Sequence, residues 1–196
     1  MYLFIDTLSD PTYIALFDEK REIIDVQTWL GKQHEFDTLT EEIDALMIRN
    51  SVLHKNLSGI VVMIWPWGFT GTRVTTLVAN ALNYWFNTPL FPLTVGEFFL
   101  LQKASLPWII PITKKEVLLW KEKTPDTFTI APILDLPAGP YTSLSPIDFA
   151  NTQYTIQRAD DYAQVISKIP LITSCKQVKP LYARDPNITK KISHAY

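Results

Sequence analysis

Nine consecutive residues, Trp65-Pro66-Trp67-Gly68-Phe69-Thr70-Gly71-Thr72-Arg73, bring two glycines, hydroxyls and a cation together between a strand pattern and a helix pattern. Those are the residue types of a phosphate-binding turn. Such a turn needs backbone N–H groups aimed inward with no side chain in the way. Pro66 has no N–H, Trp65 and Trp67 are the bulkiest side chains available, and the lysine of GxxxxGK[ST] is missing. Thr70 can cap a helix that starts near Thr72. Arg73 then falls in the first helical turn, where the dipole favours anions, so it is expected to meet a carboxylate or an anion. On these grounds the stretch reads as a structural strand-to-helix turn, walled in by its tryptophans, ahead of a working phosphate site.

Other chemistry-bearing residues are sparse. Asp6 closes an apolar run, where a carboxylate can hold metal-bound phosphate or cap a neighbouring turn; without a bare glycine loop the capping role is favoured. His34, His54 and His194 lack ligand spacing, so His34 reads as a helix-start or interface residue ahead of a metal ligand. Cys175 is the single cysteine. It excludes an internal disulfide and a thiolate zinc cluster, and reads as a small buried thiol. Ser9, Ser51 and Ser58 have no evident base, which disfavours a serine hydrolase.

The elements that must position these residues follow from periodicity. The 196 residues are 47% hydrophobic and 19% charged, with net charge −2 and mean hydropathy +0.05. This is a folded chain with little charge to spread over its surface, and some apolar surface is expected to be covered by a partner. It carries no overall electrostatic footprint for nucleic acid. No apolar run is long enough to span a bilayer, and the start "MYLFIDT" has no basic segment; the expectation is a soluble, cytoplasmic protein.

Residues 2–6, 12–18 and 23–29 read as a three-stranded meander. Phe36, Leu39, Ile43, Leu46 and Met47 fall at helical spacing, with Thr38 and Glu41 as a capping box. Residues 56–65 contain a strand apolar on both faces. Val74, Leu77, Val78, Ala81, Leu82 and Trp85 form a second helical stripe, expected to face the core. Residues 89–93 read as a strand, and Thr94 with Glu97 as the cap of another helix. Strands are expected at 108–112, 116–120 and 127–134, loop at 136–146 and a short helix within 159–169. The order β-β-β-α-β-α-β-α is that of ribonuclease H-like and actin-like ATPase lobes: an α/β class, with a lobe boundary near residue 103.

At Ile5-Asp6-Thr7 and at 65–73 the chain resembles the bacterial TsaB (YeaZ) family, whose loop has the form Gly-Pro-Gly-Ser-Phe-Thr-Gly-x-Arg. Pro66, Phe69, Thr70, Gly71 and Arg73 match; both early glycines are tryptophan here and the serine is Gly68. His34 precedes "EFDTL" much as a family histidine precedes its first helix, and Pro180, Tyr182 and Arg184 fit a C-terminal Pro-x-Tyr-x-Arg segment. The match covers residues 1–102 and 178–190. It implies the actin-like (ASKHA) fold in two lobes, 1–103 and a reduced 104–196, with Asp6, Thr7, Trp65, Trp67, Gly68, Thr70, Gly71 and Arg73 as degenerate phosphate-loop positions. It also implies a non-catalytic role without cofactor or metal: a partner of the catalytic subunit TsaD, with the ATPase TsaE in the same complex, in forming threonylcarbamoyladenosine on tRNA. Contact with tRNA is then indirect, and no membrane is involved.

A helix face of Thr75, Ala79, Asn83 and Phe86, flanked by Thr40, Asp44 and Met47, suits close packing against another helix pair. It is the expected docking surface for TsaD or for a second copy in a homodimer. Two alternatives stand beside this reading: an ATP-binding kinase or hydrolase of the actin-like fold, and a family member recruited to a different partner.

Overall fold

The computed structural model describes residues 1–30, 35–66, 69–144 and 154–183. The first sheet is built from β1 (Tyr2–Asp6), β2 (Thr12–Phe17), β3 (Ile23–Trp29), β4 (Gly59–Ile64) and β5 (Leu90–Thr94). Its order is β3-β2-β1-β4-β5. The first three strands are antiparallel, and β4 and β5 run parallel to β1. Period-two alternation splits the sheet into two apolar faces. Leu3, Ile5, Ile14, Leu16, Ile60, Val62 and Leu90 pack under helices α1 (Glu35–Arg49) and α2 (Phe69–Phe86), along with Leu39, Ile43, Leu46, Val78 and Ala79. Since α1 begins at Glu35, the expected capping pair Thr38 and Glu41 lies inside the helix. Thr70 likewise falls inside α2 and not ahead of it.

Phe4, Ala15, Phe17, Val61, Met63 and Leu93 occupy the other face. They join α3 (Val95–Leu101), α4 (Tyr162–Ile166) and the inner face of a second sheet in one core. The expected capping box opens α3: the Glu97 N–H donates to Thr94 Oγ1 at 3.2 Å and the Thr94 N–H to Glu97 Oε2 at 2.7 Å. Gly96 lets the Pro125 loop lie on this helix start, since a Cβ there would fall 2.3 Å from the Pro125 carbonyl oxygen.

The second sheet holds β6 (Trp108–Pro111), β7 (Glu116–Trp120), β8 (Thr129–Pro132), β9 (Gly139–Ser143) and β10 (Tyr154–Arg158). Its order is β10-β9-β6-β7-β8. Here too a three-stranded antiparallel meander is followed by two parallel strands on the far side of its first strand. This is the ribonuclease H-like arrangement a second time. Trp108, Ile110, Leu118 and Trp120 enter the shared core. Ile109, Val117, Leu119 and Tyr141 face outward onto a small cluster with Leu136. β9 lies within residues 136–146, expected as loop, and β10 was not anticipated.

β6 and β9 pair only at Trp108 and Thr142. Pro107, just before Trp108, and Pro140, two residues before Thr142, carry no N–H to extend the ladder in that direction. The Thr142 hydroxyl donates to the Ser105 carbonyl at 2.7 Å, and the Thr142 N–H to that of Pro107 at 3.0 Å. Beyond that point a groove of about 410 Å³ opens, lined by Leu106, Pro107, Leu119, Pro140 and Tyr141 among others.

Candidate functional site

The end of β1 and the start of α2 meet through Thr7 and Gly71. Asp6 is fully buried. One carboxylate oxygen accepts the backbone N–H of Leu8 at 2.9 Å and of Ser9 at 3.2 Å. The other accepts the Ser9 hydroxyl and, at 2.8 Å, the Tyr162 hydroxyl from α4. A carboxylate has about four lone-pair sites, and four donors occupy them. Burial pushes the Asp6 carboxyl above its ordinary range, while the hydrogen bonds from Ser9, Leu8 and Tyr162 pull the other way. Tyr162 is driven well up by burial and then by the Asp6 charge. Its ring stacks on Tyr13 at 3.8 Å between centroids, and burial with the charge of Asp161 takes Tyr13 to about 12. Asp6 therefore serves as a structural carboxylate tying β1 to α4 across the shared core.

On the α2 side, Gly71 lies close under Leu8: a Cβ would fall 2.7 Å from Leu8 Cδ2, so that side chain would have to shift to admit one. The Thr7 hydroxyl donates to the Gly71 carbonyl at 3.3 Å and meets the Thr75 hydroxyl, which donates to the same carbonyl at 2.9 Å. Threonine side chains thus fill the angle between strand and helix. Pro66 accepts the Ala183 N–H at 2.6 Å. Arg73 donates to the Tyr182 hydroxyl at 3.0 Å, with its guanidinium 5.9 Å from that ring's centre. Trp65, expected to wall in the turn, is 4% exposed and packs in the core shared by the sheets; its indole N–H has no hydrogen-bond partner among the described residues. His34, Trp67, Gly68, Arg184 and His194 lie outside the described residues, as do the side chains of Phe36 and Thr70.

The expected docking face is redrawn. Thr75 and Ala79 are fully buried and Met47 is 2% exposed, so all three belong to the lobe's own interior. Asn83 donates to the Thr88 carbonyl at 2.7 Å. Asp44 pairs with His54 at 2.7 Å, and His54 stacks on Phe86; Thr40 is half-buried. The stripe assigned to the core divides: Val78 is buried, with Val74 and Leu82 packed beside it, while Leu77 is 58% exposed and Trp85 74%, with Ala81 exposed between them and Tyr84 beside them. Ile48 on α1 is also exposed. The inward face carries Thr72, Thr75, Thr76 and Ala79, small enough for the helix to sit close on the sheet. The glycine at 71 and the run of threonines after it are the sequence signal for this.

Between the β1–β2 turn and the second sheet lies a cleft of about 200 Å³, lined by Ser9, Asp10, Tyr13, Arg158, Asp160 and Tyr162 among others. It is smaller than the pockets of about 300–1,000 Å³ that hold most ligands, and Arg158 is paired with Asp160 at 2.8 Å. Among the described residues there is no group of three potential metal ligands, and no helix is long and apolar enough to cross a membrane.

No family model matches the chain, nor does any curated protein match it in sequence. Solved structures do match. YeaZ from Pseudomonas aeruginosa superposes with a TM-score of 0.59 at 13% identity, over 85% of this chain and 88% of that one. A second, described as an uncharacterized protein with similarity to peptidase YEAZ from Pseudomonas aeruginosa, gives 0.66 at 14% identity, over 93% and 99%. The fold is the YeaZ fold. At this identity the likeness concerns architecture.

Proposed function

We propose that the chain is a non-catalytic partner subunit of a TsaD-containing complex that forms threonylcarbamoyladenosine on tRNA, belonging with the TsaB (YeaZ) family and working in the cytoplasm. A TsaE-like ATPase joins the same complex, and a homodimer through the same surface is the resting alternative. The observation that carries this reading is the outward apolar stripe Leu77-Ala81-Trp85 on α2, with Tyr84 and with Ile48 of α1. Contiguous exposed apolar side chains, aromatics above all, mark protein–protein contacts. The saturated carboxylate of Asp6 supports the non-catalytic half, because a nucleotide site on this fold needs that corner open.

The test is a titration of the chain against TsaD from the same genome. Leu77→Arg alters a residue 58% exposed, so folding changes by about 0.5 kcal/mol or less. Association is expected to weaken about tenfold or more, as for a central interface residue. Undiminished binding ends the proposal. Calorimetry with ATP and magnesium addresses the competing ATP-binding enzyme, and the expected result is no heat of binding.

A further inference from the structure

The first sheet ends in two edge strands, β3 and β5, and the chain closes them by different means. At β5 the backbone does it: Cys175 bridges Leu90, its N–H donating at 2.8 Å and its carbonyl accepting at 3.3 Å. At β3 a side chain does it. β3 has seven residues, the longest strand among the described residues. Its ladder to β2 is irregular opposite Leu16 and Phe17 and regular from Asp25 to Trp29. Ile24 and Leu30, at either side of that regular stretch, are exposed. An edge strand of this length with apolar flanks is a template for pairing with another strand.

The middle of this edge is occupied. The Val26 N–H donates to Asp25 Oδ1 at 2.8 Å, and the Val26 carbonyl accepts Arg49 Nη2 at 3.0 Å. In an antiparallel ladder the N–H and C=O of one residue point to the same side, and successive residues alternate. Val26 therefore faces away from β2, and Thr28, two residues on, faces the same way. Arg49 stands in the last turn of α1. Its Nε and Nη2 grip the Asp25 carboxylate at 2.5 and 3.1 Å, and its Nη1 donates to Gln27 Oε1 at 2.9 Å. Asn50 Nδ2 donates to Asp25 Oδ2 at 2.6 Å. One guanidinium thus holds residues 25, 26 and 27, in the planar two-point geometry that only arginine gives to a carboxylate. An exposed pair of this kind adds little to stability; what it adds here is a cover on the backbone.

We propose that Arg49 and Asp25 act as a guard that keeps β3 from pairing with β3 of a second copy of this chain. An antiparallel edge is complementary to itself about a twofold axis, so a second copy is the partner that fits it without further design. With the guard in place, an incoming N–H finds the Val26 carbonyl taken, and an incoming carbonyl meets the Asp25 carboxylate. Without it, Val26 and Thr28 offer two successive outward residues, and two first sheets join into one. The inference concerns the edge opposite β5 and does not rest on the docking reading of α2.

The test uses the full chain with Leu77→Arg in every sample, so that association through α2 is disabled from the start. Arg49→Ala with Asp25→Ala bares both Val26 groups. Sedimentation velocity over about 1 to 100 μM is expected to show self-association about tenfold tighter or more than in the Leu77→Arg parent. Hydrogen exchange should show residues 25–29 gaining protection as concentration rises. Adding Thr28→Pro removes the next outward N–H, as edge strands tolerate, and is expected to return the chain to the parent's mass. Unchanged mass in the double variant overturns the proposal. So does association in which protection is gained on elements other than β3, and so does association that a folded Thr28→Pro variant leaves intact. Where Thr28→Pro unfolds the chain, the exchange map alone decides.

Discussion

The two sheets share one strand order and differ in what covers them. In the first, 15-residue α1 links β3 to β4 and 18-residue α2 links β4 to β5. In the second, the β8-to-β9 connection is residues 133–138, with a single 3-10 turn at Ile133–Asp135. The inner faces of both sheets are buried against each other and against α3 and α4. Strand order thus survives the loss of a crossover helix when the opposite face is already sealed. The helices of the first lobe supply an outer layer, and it is on that layer that the apolar stripe sits.

The largest test of this comparison is the core the sheets have in common. Trp108 is fully buried in it beside Phe99, ring centres 5.2 Å apart. Trp108→Ala is expected to cost about 3–5 kcal/mol, and hydrogen exchange should show both sheets losing protection together. Protection lost in the second sheet alone would make the lobes independent units and break the comparison.

A middle-sized effect is expected at the link from β1 to α4. Tyr162→Phe leaves the buried Asp6 one donor short, at about 1–3 kcal/mol. The sign of the pH dependence follows from the raised carboxyl. Above the ordinary value of 3.8 the folded chain holds this proton more firmly than the unfolded chain does. Asp6 therefore makes stability fall as pH rises from about 3.8 through its folded value. Denaturant titrations across that range should show the slope in the natural chain and a flatter profile in Asp6→Asn; identical profiles would refute the assignment.

The smallest effect lies on the first sheet's far edge. The Arg49 guanidinium, with Asn50, holds Asp25 down to about 2. That contribution is complete above 3.8 and disappears as pH falls towards 2, opposite in sign to Asp6. Arg49→Ala is expected to remove it, at about 0.2–1 kcal/mol for an exposed pair. A chevron or melting series at pH 7 and pH 3 reads the difference directly.

Much of the first lobe was legible because its central strands are nearly continuous apolar runs and its turns carry plain signals. The Thr94–Glu97 cap was readable for the same local reason. The orientation of α2 was not. A stripe of Leu77, Ala81 and Trp85 has the period of a buried face, and only contact with the sheet decides that Thr72, Thr75 and Ala79 go inward. Trp65 misled in the same way: its neighbours in sequence suggested a blocked loop, while its place at the end of β4 sends it into the core. In the second lobe, β9 starts with Gly139-Pro140 in a proline-rich stretch, and β10 is five residues of which only Tyr154 and Ile156 are half-buried, too few to set a period. Neither offers a local pattern, because each is a strand through its neighbours.

The prolines at 107 and 140 leave the second sheet with a seam stitched at one end only. Breathing of β9 away from β6 starts at the unstitched end, where no ladder bond has to break first, and runs toward Thr142, whose side chain and amide together form the first knot.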